Sequence, residues 1–217
     1  MNVVIAGGHG QIALRLARLL SARGDAATGL IRNPDHAADL REAGAEPAVC
    51  DLERATLDEV TGLLRGADAV VFAAGAGPGS GAARKDTVDR AASVLLADAA
   101  ERAGVRPFAQ VSAMGAGQPP RAGTDEVWAA YIRAKGEAED DLRARDGLDW
   151  VILRPGRLTD DPGTGRVTLA EPPIGRGEIT RDDVAAVLAA LLDARVSGRT
   201  LDLLNGDTPV PEAVASL

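Results

Sequence analysis

The sequence predicts an α/β fold, in which helices cover both faces of a doubly wound parallel sheet of about seven strands. Short apolar runs alternate with amphipathic segments of helix length. Most of the apolar runs are uninterrupted, as expected of strands that are covered on both faces. Glycines also stand close after five of the predicted helices, where a left-handed cap favours a residue without Cβ; they are Gly24, Gly44, Gly66, Gly104 and Gly147.

The elements follow from hydrophobic periodicity, and the chain of 217 residues is predicted to form a single domain, 1–217. The predicted strands are residues 3–6, 27–31, 48–50, 69–73, 108–111, 150–153 and 201–204. The predicted helices are residues 11–22, 35–43, 57–64, 87–103, 126–145 and 181–194, with a short one beginning at Val210. Residues 155–217 are expected to complete the sheet and to frame a substrate pocket.

Composition narrows the classes of partner. The formal net charge of -8 argues against binding to a nucleic-acid backbone or an anionic membrane surface. The only cysteine, Cys50, cannot form an intrachain disulfide, and no segment reads as a signal peptide or a membrane span. We therefore expect a cytoplasmic protein that acts on a small molecule and uses no metal. The sequence does not indicate whether the protein is a monomer or an oligomer.

A glycine turn follows the first predicted strand. Gly7, Gly10 and Ala13 have the spacing GxxGxxA. Small residues at this spacing permit a tight turn, close approach of a phosphate to backbone amides and close packing of the helix on the strand. The helix after the turn directs its free amides and its positive dipole end at an anion. This favours a Rossmann-type site for the pyrophosphate of a dinucleotide. A merely structural turn is the alternative.

The ends of the second and third predicted strands bear on the choice of cofactor. Arg32 stands where an acidic residue would bind a ribose 2′-hydroxyl, and an arginine there pairs with a 2′-phosphate instead. This favours NADP, with NADPH preferred over NADH, unless Arg32 is an ordinary surface residue. Asp51 is placed either to accept a bond from the adenine amino group or to cap a turn.

Five segments together resemble a known family. They are GGHGQIA, IRNP after the second strand, CDL after the third, FAAGAG after the fourth and ILRPGRLTDD after the sixth. With the helix start Arg181–Val184, they resemble the atypical short-chain dehydrogenase/reductase superfamily, and within it the small NAD(P)-binding subgroup labelled NmrA-like or NAD(P)-dependent epimerase. The resemblance implies a cofactor path lined by Gly7, Gly10, Gln11, Ile12, Arg32, Asp51, Leu52, Ala73, Ala74, Gly75, Lys135 and Pro155.

Reductases of this superfamily use a Tyr-x-x-x-Lys pair, and Tyr131 and Lys135 match it in a chain with one tyrosine and two lysines. A tyrosine hydroxyl can protonate a carbonyl oxygen, but its ordinary pKa of about 10 is high for work at neutral pH. A lysine ammonium one helical turn away favours the phenolate. The resemblance also implies that Lys135 binds the nicotinamide ribose. An ordinary surface pair is the alternative.

Other positions depart from the superfamily pattern. Ser112 matches the first serine of the usual Ser-Ser pair, so that Ala113 occupies the catalytic position, and Asp89 replaces a frequent asparagine. Ser112 is therefore an uncertain third catalytic residue. The glycine- and proline-rich segments 75–83, 115–123 and 156–177 are expected to be loops that frame the pocket. Trp128 and Trp150 are interpreted as packing residues.

Two functions follow. The first is an NADP-dependent oxidoreductase that reduces a small carbonyl or related electrophile by hydride transfer. The second is a non-catalytic sensor of the NADP redox state that signals to a partner protein. A sugar-type epimerase or dehydratase is a weaker third reading, because the residues after the sixth strand are too few for a separate substrate domain.

Overall fold

A computed structural model describes residues 1–77, 79–120 and 123–217. Within these residues the main sheet has nine strands in the order β11-β8-β10-β6-β5-β4-β1-β2-β3. The strands are β1 (Asn2–Ala6), β2 (Ala26–Ile31), β3 (Glu46–Val49), β4 (Ala69–Phe72), β5 (Pro107–Val111), β6 (Asp149–Pro155), β8 (Arg166–Ala170), β10 (Arg199–Asn205) and β11 (Thr208–Pro209). A separate pair is formed by β7 (Arg157–Thr159) and β9 (Glu178–Thr180).

The predicted fold class is confirmed. The seven predicted strands pair in parallel as β1 to β6 and β10, and the strand order reverses between β1 and β4. The count of about seven is too low, because β8 and β11 add antiparallel strands at one edge. Segment 156–177 was therefore wrongly expected to be a loop throughout: it contains β7 and β8. Its glycines and prolines flank short edge strands, and edge strands tolerate both residues.

Helices cover both faces of the sheet. They are α1 (Gln11–Ala22), α2 (Ala37–Glu42), α3 (Leu57–Leu64), α4 (Ala82–Arg84), α5 (Ala92–Ala103), α6 (Glu126–Arg143), α7 (Arg181–Asp193) and α8 (Val210–Ala215). A 3₁₀ turn, Pro34–His36, precedes α2, and a π-helical segment, Lys85–Ala91, joins α4 to α5. The helix predicted at 87–103 thus begins earlier, and its first part is wider than an α-helix. None of the helices in the described parts of the chain combines the length and apolarity needed to cross a membrane.

Two hydrophobic cores follow from the alternation of side chains along each strand. Val3 and Ile5 of β1 pack on one face with α1 and α7. Val4 and Ala6 pack on the other face with α3, α5 and α6. Since both faces are buried, the strands need apolar residues at successive positions, which is the pattern that the sequence shows.

Glycine caps behave as predicted at four of the five positions. Gly24, Gly44, Gly66 and Gly104 have φ values between 75° and 85°. Gly147 is a correction, because its φ is not positive; α6 ends earlier, with Ala144 at its cap. Gly147 instead allows a close contact, since a Cβ there would lie 2.4 Å from Oε1 of Glu101.

The loop after β5 lies directly on α6 at a contact between two glycines. A Cβ on Gly136 of α6 would lie 2.4 Å from Cα and 2.5 Å from the amide nitrogen of Gly117. The Gly117 amide also donates to the carbonyl of Ile132 at 3.1 Å. The loop that follows β5 is thereby held against the helix that carries Tyr131.

We expect Gly136→Ala to lower the free energy of unfolding by about 1–3 kcal/mol, because the new methyl group must displace backbone. Gly62→Ala is the matched control, because Gly62 also lies in a helix. Unlike the buried Gly136, Gly62 is exposed, and a Cβ there would meet nothing within 4 Å. The control should gain about 0.5–1 kcal/mol from helix propensity alone. Urea unfolding of both variants measures the difference, and equal effects would contradict the close contact.

Candidate functional site

A groove of about 370 Å³ runs along the carboxyl ends of β1 to β4. Eight of the predicted cofactor residues line it: Gly7, Gly10, Arg32, Asp51, Leu52, Ala73, Ala74 and Gly75. They meet because the carboxyl ends of parallel strands share one edge of the sheet, at the point where strand order reverses.

The other four predicted cofactor residues do not line this groove. The Gln11 side chain bonds to Arg15 through Oε1, and Ile12 is buried in the core below α1. Pro155 is buried at the end of β6, where its carbonyl accepts the Met114 amide. Lys135 is buried beside Tyr131 and Asp89.

The glycine turn brings β1 and β4 unusually close. Gly7 has φ +76°, and a Cβ on it would lie 2.6 Å from Cα of Ala74. Gly10 then closes the turn by donating its amide to the Gly7 carbonyl at 2.7 Å. A side chain at Gly7 would therefore be strained in conformation and would also collide with the opposite wall of the groove.

The N-terminus of α1 differs from those of α3, α6 and α7. Each of those three helices has a side chain that accepts a backbone amide and at least one acidic residue in its first turn. The N-cap of α1 is Gly10, which supplies no side-chain bond, and its first turn has no acidic residue. The amides and positive dipole end of α1 thus face the groove without an internal anion, which suits a pyrophosphate.

Two arginines meet one glutamate at the β2 and β3 end of the groove. Arg84 donates to Glu53 Oε2 at 2.6 Å, and Arg32 lies 3.2 Å from the same oxygen. Thr87 donates to Glu53 Oε1 at 2.7 Å, and these contacts, Arg84 foremost, lower the pKa of Glu53. Glu53 and Arg84 were not predicted as site residues from the sequence. Glu53 has a sequence signal, because it closely follows β3, the parallel neighbour of β2.

Asp51 caps a turn at this end of the groove. Its Oδ1 accepts the Glu53 amide at 3.2 Å, which matches the capping alternative, while Asp51 still lines the groove. The two roles are compatible, since a carboxylate has several acceptor positions.

Tyr131 and Lys135 lie one turn apart on α6 and form a cluster with Asp89, in which Lys135 and Asp89 are buried and Tyr131 is half-buried. Lys135 Nζ lies 3.3 Å from Asp89 Oδ1 and 5.9 Å from the Tyr131 ring centroid, and it donates to the Val111 carbonyl at 3.2 Å. Asp89 Oδ2 accepts the amide of Ala76, a residue that lines the groove. The cluster therefore adjoins the groove through Asp89.

Burial dominates the electrostatics of this cluster. It lowers the pKa of Lys135, and the nearby Asp89 carboxylate opposes that shift. It raises the pKa of Tyr131 above its ordinary value, and the Asp89 charge adds to the increase. Tyr131 is therefore a protonated phenol at neutral pH, which is the form that can donate a proton.

Ser112 lies in a different buried network. Its hydroxyl donates to Glu139 Oε1 at 2.5 Å, and the same carboxylate accepts bonds from Arg143 and Arg154. Glu139 and Ser112 are both buried. The single hydroxyl proton of Ser112 is thus used within the protein, and Ala113 beside it has no donor in its side chain.

Trp128 is not a core residue. It is 53% exposed and its ring lies 5.3 Å from that of Tyr131. Of the two packing roles considered for it, core and pocket wall, only the pocket wall is compatible with this exposure, whereas the half-buried Trp150 does pack against the core. An exposed aromatic face beside Tyr131 is available to a ligand.

Comparison with known proteins agrees with this geometry. The model of the NAD(P)H-binding family matches residues 7–195. An uncharacterized sugar epimerase of Bacillus subtilis is 37% identical over 219 residues, covering 100% of both chains. A UPF0659 protein of Saccharomyces cerevisiae is 32% identical and covers 100% of this chain and 99% of its own.

Solved structures share the fold. A Bacillus halodurans protein, provisionally named an NAD-dependent epimerase/dehydratase, has a TM-score of 0.91 at 35% identity over 100% of both chains. ChuY, an anaerobilin reductase of Escherichia coli O157:H7, has a TM-score of 0.80 at 24% identity over 95% of this chain and 98% of its own, a likeness of fold alone. The resemblance to atypical short-chain dehydrogenase/reductases is confirmed, and the chain belongs to the NAD(P)H-binding family.

Proposed function

We propose that the protein is an NADP-dependent oxidoreductase that reduces a small carbonyl or related electrophile. The observation that carries this proposal is the cluster of the half-buried Tyr131 with the buried Lys135 and Asp89, which adjoins the dinucleotide groove through the bond from the Ala76 amide to Asp89. A protonated phenol, a cation and a carboxylate that orients the cation form an acid for proton transfer. Ionisable groups clustered beside a groove are typical of functional sites.

Residues of the groove would hold the cofactor. The free amides at the start of α1 would bind the pyrophosphate, and Arg32 would bind the adenosine end. The chemistry that NADPH would supply, when held there, is hydride transfer to an electrophilic carbon. Tyr131 gives its proton to the carbonyl oxygen, and the Lys135 ammonium stabilises the resulting phenolate until water restores the proton. Asp89 positions Lys135.

The choice of NADP rests on the two arginines. Arg32 and Arg84 converge on Glu53, so two guanidinium groups already meet at a single anionic group. A 2′-phosphate carries more charge than a carboxylate and forms forked bonds with guanidinium groups. We infer that it replaces Glu53 as the partner of Arg32.

Single-turnover reduction tests the function. The purified protein is mixed with NADPH below its own concentration and then with aldehydes, ketones and quinones in turn, while nicotinamide absorbance is followed. Decay with at least one electrophile, faster than without protein, is the expected result. Confirmed NADPH binding without decay for any electrophile would overturn the proposal.

A redox sensor is the second candidate, and the bond from Ser112 to Glu139 favours it, because the usual serine donor is engaged elsewhere. A sensor needs different affinities for NADP⁺ and NADPH, since a ligand shifts an equilibrium only through differential binding. Equal dissociation constants by calorimetry would exclude the sensor. An epimerase or dehydratase is less favoured, because most of the strands after β6, namely β8, β10 and β11, extend the main sheet.

We propose a cytoplasmic location and a small-molecule substrate. The only cysteine, Cys50, is a free thiol, which is compatible with a reducing compartment. Cell fractionation tests the location.

Arg32→Ala is expected to weaken NADPH binding by about 10- to 100-fold, because a charge-assisted fork to the 2′-phosphate is lost. The affinity for NADH should change less than about threefold, since NADH has no such phosphate. Arg41→Ala, an exposed change on α2 away from the groove, is the control and should affect neither. Fluorescence titration with NADPH and with NADH measures the affinities of the unsubstituted protein, Arg32→Ala and Arg41→Ala. An equal loss for both cofactors would contradict a role in NADP selection.

A further inference from the structure

Both lysines of this chain are buried beside its only tyrosine. Lys85 Nζ lies 5.4 Å and Lys135 Nζ 5.9 Å from the Tyr131 ring centroid. Lys85 is 8% exposed, although lysine is among the residues that are least often buried. The other 22 of the 24 basic residues are arginines. Lys135 has a place in the proposed proton transfer, but Lys85 does not.

The charges around Tyr131 leave a positive excess. Asp89 is the ion-pair partner of Lys135, and the buried Glu139 is bound by Arg143 and Arg154. Among the residues that the structure describes, no carboxylate lies within 4 Å of Lys85 Nζ, whose hydrogen bond goes to the Gly77 carbonyl at 3.0 Å. An ammonium has three donors, and among the described residues only the Gly77 carbonyl is hydrogen-bonded to it. A buried charge without an anion is costly unless it serves a bound group.

The backbone places Lys85 there through a π-helical segment. Lys85–Ala91 is π-helical, and it buries Lys85, Val88 and Asp89 together against the cluster. Such segments are rare and occur frequently at functional sites. Lys85, the first residue of the segment, faces the Tyr131 ring, and Asp89, four residues later, orients Lys135.

We propose that Lys85 is a further catalytic residue, whose ammonium binds the substrate oxygen beside Tyr131 and stabilises the negative charge that this oxygen gains. The inference rests on the proposed carbonyl reduction. As the carbonyl carbon receives a hydride, the π-electron pair moves to oxygen; that oxygen takes the proton of Tyr131, and Lys85 keeps its own proton throughout. Lys85 thereby supplies the donor that Ser112, bound to Glu139, does not offer.

Kinetics of matched variants test this role. We expect Lys85→Met to lower kcat by about 100- to 1,000-fold with little change in KM, as when one oxyanion donor is removed. Lys85→Arg keeps the charge and should lose only about tenfold. Arg90→Gln, a change of a half-buried residue in the same π-helical segment, is the control for damage to the backbone and should stay within about twofold.

A second readout does not depend on activity or on the folding of Lys85→Met. With two lysines in the chain, ¹⁵N labelling of lysine side chains yields two Nζ signals, assigned through Lys85→Arg. Acetate, a small oxygen anion, is titrated into the unsubstituted protein with NADP⁺ present. We expect a saturable shift of the Lys85 signal that exceeds any shift of Lys135.

The outcomes separate the two proposals. No reduction by the unsubstituted protein would overturn both the function and the role of Lys85. Reduction at equal rates by the unsubstituted protein and Lys85→Met would overturn the role of Lys85 alone. An acetate response confined to Lys135, or no response of either lysine, would also overturn that role.

Discussion

Tyr131→Phe lowers the single-turnover rate of electrophile reduction by about 100- to 10,000-fold, the range that a positioned general acid contributes. The reason is that phenylalanine retains the ring and its contact with Trp128 but has no proton to donate. The affinity for NADPH should stay within about threefold, because Tyr131 does not line the dinucleotide groove. Stopped-flow absorbance measures the rate, and calorimetry measures the affinity.

Tyr131→Phe is expected to change the reduction rate without a large change in the stability of the protein. Tyr131 is half-buried, and none of the described residues is hydrogen-bonded to its hydroxyl, so removal of the hydroxyl leaves none of them unsatisfied. The unfolding midpoint in urea should therefore change little. An unchanged rate would remove Tyr131 from the mechanism, and a large loss of NADPH affinity would indicate that it shapes the cofactor site instead.

Glu139→Ala is expected to lower the free energy of unfolding by about 3–5 kcal/mol, the cost of breaking a buried ion pair on one side. Glu139 is fully buried and joins Ser112, Arg143 and Arg154. Its loss leaves Arg154, which is largely buried, without the carboxylate that accepts two of its three hydrogen bonds. Urea unfolding at neutral pH measures the change.

Glu137→Ala is the matched control for that measurement. Glu137 lies two residues away on α6, is exposed and pairs with Arg90 at 3.5 Å. Exposed pairs contribute little, so this variant should change stability by at most about 0.5 kcal/mol. Similar losses for the two variants would mean that the buried network does not stabilise the fold. Glu139→Gln, which keeps the shape of the side chain and removes its charge, distinguishes lost packing from lost charge.

Several features were predictable because they depend on short stretches of chain. The apolar runs of β1, β4, β5 and β6 and the periodicity of α1 and α6 identify their elements at once. The turn from Gly7 to Gly10 and its position before a helix predict an anion site. The spacing of Tyr131 and Lys135 places them one helical turn apart wherever that helix lies.

Other features were not predictable from local pattern. β8 and β11 are short and flanked by glycine and proline, so their local sequence does not distinguish them from a loop. They form strands because β8 pairs with β10, and β11 then pairs with β8. The π-helical widening before α5 has no signal in hydrophobic period. The Ser112–Glu139 bond joins residues 27 positions apart, and two buried arginine contacts complete its network.

The sequence by itself determined the α/β class, the glycine turn and the position of the Tyr131–Lys135 pair, because these follow from periodicity and spacing within one or two elements. The tertiary structure decided the partners of each charged group. It placed Glu53 between Arg32 and Arg84, Asp89 against Lys135, Ser112 on Glu139, and Lys85 beside Tyr131 without a carboxylate among the described residues. The physical reason is that the interaction energy between two charges increases where water is excluded. Exclusion of water depends on segments that are distant in sequence and pack together in the fold.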